Sequence, residues 1–243
     1  MTSLPVTPAP TTGEPTSPSP TVPAPTVPPP TVPPPTVPPP TVPSPGVLRP
    51  GDTGPAVRAL QERLSELGYW LGTPDGVFGG LTTQAVFAIQ GAAGITRDGT
   101  VGPQTSTQLK AGTRPAARST QGAVTEIDLD RGLLLFVRNG QVTRVLHTST
   151  GTFQPYVHGN KTMLADTPRG KWSVSWMYDG WRDGELGLLY RPEYFHPDGV
   201  AVHGYQSVPP YPASHGCARV TLQAMDMIWA EKLMPRGSAV WVY

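Results

Sequence analysis

This 243-residue sequence has a single cysteine, no long apolar run and almost no excess of either charge. Cys217 is the only cysteine, so the chain forms no internal disulfide and cannot build a structural zinc site from several thiolates. No stretch approaches the roughly 18 consecutive apolar residues of a membrane-spanning helix, so no membrane span is expected. The 18 Lys and Arg nearly balance the 17 Asp and Glu, and without a basic stripe nucleic acid is not an expected partner.

Charge is also nearly absent from the first 45 residues, where Glu14 is the only charged side chain and 19 of the 32 prolines fall. Residues 21–45 repeat with a period of five, from TVPAP to TVPSP. Such a segment buries too little apolar surface to offset its chain entropy, so residues 1–46 are predicted to be a disordered or extended Pro/Thr-rich spacer. In the polyproline II form the repeat spans roughly 80 Å. A proline-motif ligand for another domain is the alternative.

Residues 47–112 have the pattern of a small three-helix bundle. Val57, Leu60, Leu64 and Leu67 recur at helical spacing after Pro55, which suits a first helical turn, and Gly68 ends the helix. A second apolar helix is predicted around residues 82–90, and a third begins after 99–103. Residues 113–122, rich in Arg, Pro, Ser and Gly, are predicted to be a linker.

Residues 123–243 have a different pattern, that of a mainly-β domain with one late helix. The run LLLFVR-NG-QVTRVLH predicts two strands around an Asn-Gly turn, a strong hairpin signal. Further strands are predicted at KWSVSWM, GVAVH and SAVWVY, and an amphipathic helix near residues 221–233. The predicted fold class is therefore a multidomain chain with an α bundle followed by a β-rich unit.

The segment 200–220 gathers the residues that can do chemistry: His203, Ser214, His215, Gly216 and Cys217. A thiol becomes a nucleophile when a base or a positive field helps to remove its proton. His203, at the end of a predicted strand, can supply that base. Gly216 permits a tight turn whose backbone N–H groups can face an oxyanion. These parts fit acyl transfer through a thioester.

Three other interpretations of this segment stay open on the residues alone. Two histidines and a cysteine can bind a metal, although a catalytic zinc needs three coherent ligands and His-x-Cys is a cramped pair. The histidines can belong to a loop that merely caps strands. Cys217 can also be an inert buried residue.

The run SHGCAR at 214–219, preceded by His203-Gly204, closely resembles the signature of the L,D-transpeptidase (YkuD-like) family. The resemblance extends back to STGT at 149–152 and TPRGKW at 167–172, and forward to the closing AVWVY, about 120 residues in all. It implies a β-rich catalytic domain, a Cys–His mechanism and no metal or other cofactor.

Carried over by position, the resemblance makes Cys217 the nucleophile and His203 its base. The donor is then the tetrapeptide stem of peptidoglycan, and the acceptor is the amine of a diamino acid on a neighbouring stem, which gives a 3-3 cross-link. Backbone N–H groups around His215, Gly216 and Cys217 would form the oxyanion hole, and Ser214 and Arg219 would support the site or contact substrate.

The chain departs from the family pattern in a short loop. Ten residues, several of them proline, separate His203 from Ser214, which leaves the choice of acceptor open. Tyr190 and Tyr194, together with Trp181, fall where a substrate-covering lid is expected. Aromatic residues in a β domain also serve as core, so both roles are possible for them.

The sequence over 47–112 resembles a peptidoglycan-binding type 1 domain, through DGVFGGLTTQAV, DGTVGPQTSTQL and the opening LRPGDTGPAVRALQERLSELGYW. Ile89-Gln90 stands where the family usually has Phe-Gln. Binding of peptidoglycan by this unit rests on the resemblance, since its Asp-Gly and Gly-Pro landmarks also have a structural explanation as turns and helix starts.

The combined expectation is a monomeric cell-wall enzyme that carries a spacer, a wall-binding unit and a catalytic unit. It would act outside the membrane in cell-wall biogenesis and the maintenance of cell shape, although MTSLPVTPAP shows no basic start and apolar core of a signal peptide. Two rivals remain: an L,D-carboxypeptidase or endopeptidase on the same scaffold, and a non-catalytic peptidoglycan-binding protein.

Overall fold

A computed structural model of the chain describes residues 46–243, and the predicted spacer lies outside the described residues. Three helices come first: α1 (Pro55–Glu66), α2 (Gly80–Ala93) and α3 (Pro103–Ala111). Pro55 and Pro103 occupy first helical turns, where a missing N–H costs no hydrogen bond. Gly94 and Gly112 end α2 and α3 in the left-handed conformation. The predicted three-helix unit is confirmed, with α2 longer than expected at both ends.

Two buried glutamines tie the loops of this unit to its helices. Gln61 of α1 accepts the backbone N–H groups of Asp75 and Gly76 and donates to Asp75 Oδ1, Val77 O and Thr82 Oγ1, all at 2.8–3.0 Å. Gln90 of α2 makes the same kind of set with Asp98, Gly99, Thr100 and Thr105. The runs DGVFGGLT and DGTVGPQT are thus two copies of one glutamine-anchored turn.

The rest of the chain is β-rich, as predicted. It forms twelve strands among the described residues: β1 (Ala123–Asp128), β2 (Leu133–Arg138), β3 (Gln141–His147), β4 (Pro155–His158), β5 (Lys161–Leu164), β6 (Gly170–Ser173), β7 (Trp176–Met177), β8 (Trp181–Gly184), β9 (Gly187–Tyr194), β10 (Ala201–Tyr205), β11 (Ala218–Thr221) and β12 (Ala239–Val242). The late helix, α4, runs from Leu222 to Ala230 between β11 and β12. The Asn139-Gly140 hairpin is confirmed, with both residues at positive φ.

Two sheets enclose the main core. One has the order β3-β2-β1-β12-β6, and the other has the order β11-β10-β9-β7 with β8 paired to β9. The hairpin β4–β5 stands apart from both. Apolar side chains from the two sheets and from α4 form one buried cluster that includes Ile127, Val202, Ala218, Ile228 and Val240. The parallel pair β10–β11 is the part of this framework that positions the site.

The helical unit packs directly on the first sheet. A second buried cluster runs from Leu60 and Ile89 to Leu133 and Val145 of β2 and β3. Backbone bonds join the two parts as well, because Trp70 N–H donates to Val145 O and Val145 N–H donates to Gly68 O. None of the helices within residues 46–243 is long and apolar enough to cross a membrane.

Candidate active site

His203 and Cys217 are brought together by the parallel pairing of β10 with β11. Val202 lies opposite Ala218 and His203 lies opposite Arg219. Val202 and Ala218 face the core, and successive side chains on a strand point to opposite faces. His203, Cys217 and Arg219 therefore share the other face of the sheet.

These side chains line one pocket of about 100 Å³. The residues singled out by sequence, apart from the lid tyrosines, all lie in its wall: His203, Ser214, His215, Gly216, Cys217 and Arg219. Residues distant in sequence, including Tyr156 and Leu186–Leu189, complete the wall. The pocket places a thiol, an imidazole and a guanidinium within one small volume.

The tautomer of His203 is set by a backbone carbonyl. Its Nδ1 lies 2.9 Å from Gly204 O, and because a carbonyl only accepts, Nδ1–H is the donor. The lone pair of neutral His203 is therefore on Nε2. Burial lowers the pKa of His203 to about 4, against the opposing effect of the Gly204 hydrogen bond, and the charge of Arg219 lowers it further. At neutral pH His203 is an uncharged base.

Cys217 keeps part of its surface accessible, although protein atoms crowd the thiol. Burial raises the pKa of Cys217 above its ordinary value, while a hydrogen bond from the Ala201 backbone and the charge of Arg219 lower it. Its Sγ lies 4.0 Å from Gly199 O, a weak contact. Both pKa directions favour a resting pair of thiol and neutral imidazole.

The turn from Ser214 to Cys217 is held by one hydroxyl. Ser214 Oγ accepts Gly216 N–H at 3.0 Å and donates to Cys217 O at 2.6 Å. Gly216 has φ +147°, and a Cβ there would lie 2.6 Å from Asp166 O, so only glycine fits. Within residues 46–243 the N–H groups of His215 and Cys217 have no protein acceptor. The N–H group of Gly216, by contrast, is already bonded to Ser214 Oγ.

Arg219 is anchored beside the thiol. Its Nη1 donates to Ala213 O at 3.0 Å, and its guanidinium stacks 4.1 Å from the centre of the Tyr205 ring. Burial lowers the pKa of Arg219 below its ordinary value. Its Nε is buried without a hydrogen-bond partner among the described residues. The side chain can therefore act through its charge and through one unused donor.

The STGT and TPRGKW runs, to which the sequence alone assigns no role, support the turn from Ser214 to Cys217. Thr167 is fully buried, accepts Gly151 N–H at 2.9 Å and donates to Gly216 O at 2.6 Å. The backbones of Ser149 and Arg219 bond to each other in both directions, at 3.1 and 2.9 Å. These runs are visible in the sequence, but their contacts with residues 214–219 span nearly 50 residues or more and depend on the fold.

The short loop between His203 and Ser214 is held from three sides. Gln84 of the helical unit donates from Nε2 to Val208 O at 2.9 Å. His147 Nε2 lies 2.8 Å from Pro209 O, and Ser149 Oγ donates to Tyr211 O at 2.8 Å. The loop that joins His203 to Ser214 thus depends in part on a side chain from α2.

Neither predicted lid tyrosine lines the pocket. Tyr190 donates from its hydroxyl to Asp226 of α4 at 2.7 Å and packs against the main core, with Trp181 on its ring. Tyr194 lies against Trp176, and burial raises the pKa of its hydroxyl. The side chains that line the pocket on this side come instead from hairpin β4–β5, where Tyr156 packs 4.7 Å from His215, and from residues 186–189.

No group of three His, Cys, Asp or Glu side chains within residues 46–243 is arranged to hold a metal ion. The pocket holds a single cysteine, and its two histidines have separate contacts: His203 Nδ1 with a carbonyl, and the His215 ring with Tyr156. The arrangement suits proton transfer and acyl chemistry by side chains.

Comparisons with known proteins identify the family of each part of the chain. One family model, described as a putative peptidoglycan binding domain, matches residues 53–109, and another, described as an L,D-transpeptidase catalytic domain, matches residues 122–242. Both resemblances seen in the sequence are confirmed. No curated protein matches the chain.

Solved structures include close and distant relatives. The crystal structure of an L,D-transpeptidase from Xylanimonas cellulosilytica is 48% identical, with a TM-score of 0.80, and the match covers 83% of this chain and 99% of that one. An L,D-transpeptidase from Stackebrandtia nassauensis is 19% identical, with a TM-score of 0.48, over 81% of this chain and 94% of that one.

Proposed function

Because the chain belongs to the L,D-transpeptidase family, we propose that it joins peptidoglycan stem peptides through a thioester on Cys217, with His203 as general base. The observation that carries this proposal is the hydrogen bond from His203 Nδ1 to Gly204 O, which leaves the Nε2 lone pair free in the pocket that holds the thiol. Peptidoglycan is the substrate class that both parts of the chain favour.

In the first half-reaction Cys217 Sγ attacks the carbonyl carbon of the third stem residue, a diamino acid, while Nε2 of His203 takes the thiol proton. The N–H groups of His215 and Cys217 donate to the oxyanion of the tetrahedral intermediate. The intermediate collapses, the bond to the terminal D-alanine breaks, and His203 passes its proton to the departing amine. The result is a thioester and free D-alanine.

In the second half-reaction the side-chain amine of a neighbouring stem attacks the thioester. His203 accepts a proton from the amine and returns it to the leaving sulfur, so the thiol and the neutral imidazole are restored. The product is an amide between two third-position residues, a 3-3 cross-link. The charge of Arg219, which lowers the pKa of the Cys217 thiol, stabilises sulfur as it loses its proton and again as it leaves.

Water competes with the amine as acceptor, because Cys217 is partly exposed to solvent. If water attacks the thioester, the same residues give an L,D-carboxypeptidase or endopeptidase. In either case the chain would act at the cell wall, where its substrate lies.

Intact-mass spectrometry after incubation with a tetrapeptide-stem muropeptide, and separately with a carbapenem, tests the proposal. The wild type should form one adduct with the carbapenem and a cross-linked dimer with the muropeptide. Cys217→Ala should form neither, His203→Ala should form both slowly, and His196→Ala, a histidine outside the pocket, should behave as wild type. A tripeptide product without dimer would indicate the hydrolase, and an unreactive wild type would leave a non-catalytic wall-binding protein.

A further inference from the structure

A second cavity, of about 400 Å³, lies where the helical unit meets the catalytic domain. We call it the interface cleft. The start of α2 forms one side, with Leu81 and Gln84, and the start of α4 forms another, with Leu222 and Gln223. Its size falls within the roughly 300–1,000 Å³ of ordinary small-molecule sites. Neither part of the chain forms this cleft alone.

The side chains that line the interface cleft are uncharged, and they mix amides with apolar groups. Three glutamines, Gln84, Gln206 and Gln223, contribute amides that both donate and accept, and no Asp, Glu, Lys, Arg or His lies among its lining residues. Leu81, Val208 and Leu222 add apolar surface between the amides. This combination suits a neutral ligand that carries hydroxyl and amide groups on a C–H framework, and it does not suit a charged peptide.

The interface cleft adjoins the catalytic pocket. Tyr205 lines both, and on the catalytic side its ring carries the guanidinium of Arg219. The wall shared by the helical unit and the loop is held together by the hydrogen bond from Gln84 Nε2 to Val208 O, while Gln84 Oε1 is buried with no partner among residues 46–243. A ligand in the interface cleft would therefore lie next to a substrate bound at Cys217.

We propose that the interface cleft binds the neutral amino-sugar chain of the peptidoglycan strand whose stem occupies the Cys217 pocket. N-acetylated sugars present hydroxyl and acetamido groups, which match the glutamine amides, and C–H faces, which match the leucine and valine surface. This inference rests on the proposed function and assigns the helical unit a direct part in substrate binding. The stem would be recognised at Cys217 and its glycan at the interface cleft.

Binding is tested on the full chain with Cys217→Ala, which separates it from turnover. The probe is tetra-N-acetylchitotetraose, a neutral and peptide-free amino-sugar oligomer, titrated in a calorimeter. Gln206 and Gln223 are exposed, so Gln206→Ala and the cleft-filling Gln223→Trp should leave the fold intact. We expect the parent to bind and each variant to bind about tenfold more weakly. Gln121→Trp, an exposed glutamine outside the cleft, is the matched control.

Failure to bind the oligosaccharide, or equal binding by parent and cleft variants, would overturn the assignment, since the sugar would then bind nowhere or elsewhere. Kinetics on the active chain provide the second test. Gln223→Trp should raise KM about tenfold for a disaccharide-tetrapeptide and leave the sugar-free tetrapeptide unchanged. An equal rise for both would make the interface cleft a peptide site and overturn the sugar assignment. If no thioester formed with either substrate, the proposed function would fail, while the titration would still decide the cleft.

Discussion

The helical unit and the turn from Ser214 to Cys217, which we call the catalytic turn, each have a glycine-containing loop around a buried polar side chain. They differ in how many hydrogen-bonding groups they leave unpaired. In the helical unit Gln61 uses both amide atoms in five hydrogen bonds. In the catalytic turn Ser214 satisfies Gly216 N–H and Cys217 O, while the N–H groups of His215 and Cys217 have no acceptor within residues 46–243.

The number of unpaired hydrogen-bonding groups distinguishes loops that support the fold from loops that can bind a ligand. A buried amide with all its hydrogen bonds made has nothing left for a ligand, so the Asp-Gly turns around Gln61 and Gln90 serve the fold. Unpaired donors beside a nucleophile represent hydrogen-bonding capacity that a substrate can use. Substitutions in the two regions should therefore have opposite signatures, one in activity and one in stability.

The largest effect is expected at His203. Replacement by alanine removes the proposed general base, so the rate of Cys217 acylation should fall by about 10²–10⁴-fold. Stopped-flow or mass-resolved acylation rates would measure this loss. The comparison requires that thermal unfolding stay cooperative in the variant, and a variant that acylates at the wild-type rate would remove His203 from the mechanism.

At Gln61 a substitution is expected to lower stability and leave activity unchanged. Gln61→Leu leaves the backbone N–H groups of Asp75 and Gly76 without their acceptor, which should lower the free energy of unfolding by about 3 kcal/mol. Urea titration gives the change, and Gln104→Leu, on the exposed face of α3, is the control. The acylation rate of folded protein at low temperature should not change. A loss of activity larger than the loss of folded protein would contradict the division between the two regions.

Glu193 tests whether an unpaired buried group always indicates function. It lies on β9 opposite Val202, its Oε2 has no partner among the described residues, and burial raises its pKa to about 8. The folded state holds this proton more tightly than the unfolded state, so the free energy of unfolding should fall as pH rises from about 4.5 to 8. Between about pH 6 and pH 8 the fall should be about 2 kcal/mol. Unfolding of Glu193→Gln should lack this slope. An unchanged slope would show that other groups cause it.

The smallest effect is expected at Gln84, which joins the two regions. Gln84→Leu removes the hydrogen bond to Val208 O, worth about 1 kcal/mol, and so leaves the His203–Ser214 loop less restrained. We expect a few-fold rise in KM for muropeptide with little change in carbapenem acylation. Gln108→Leu, on α3 of the same unit, serves as the control. If the rates of reaction with muropeptide and with carbapenem fell by the same factor, the loop would position the thiol rather than the substrate.

Much of the fold was readable from local pattern. Helical spacing after Pro55, the Asn139-Gly140 turn and the apolar run at 133–138 each depend on residues close in the chain, and the helix, the turn and the strand that they predict are confirmed. The residues that line the pocket cannot be identified from local pattern alone. Position in the chain predicts a lid role for Tyr190. In the structure its hydroxyl donates to Asp226, 36 residues away, and Tyr156 of a separate hairpin contacts His215.

The division of the chain into 47–112, 113–122 and 123–243 stays a prediction. The apolar cluster that runs from Leu60 to Val145 shows that the helical unit and the first sheet share buried surface. Hydrophobic spacing indicates that a helix face is buried but does not indicate what it is buried against. The effect of the helical unit on the active-site loop was therefore absent from every sequence-based expectation.

By itself the sequence determined the helices, the hairpin, the family and the candidate residues Cys217 and His203, because these depend on residue type and short spacing. The tertiary structure alone decided which nitrogen of His203 carries the proton, which backbone N–H groups stay unpaired, and that Gln84 reaches the loop before Ser214. Hydrogen bonds are short-range and directional, so their partners are chosen by the geometry of segments distant in sequence.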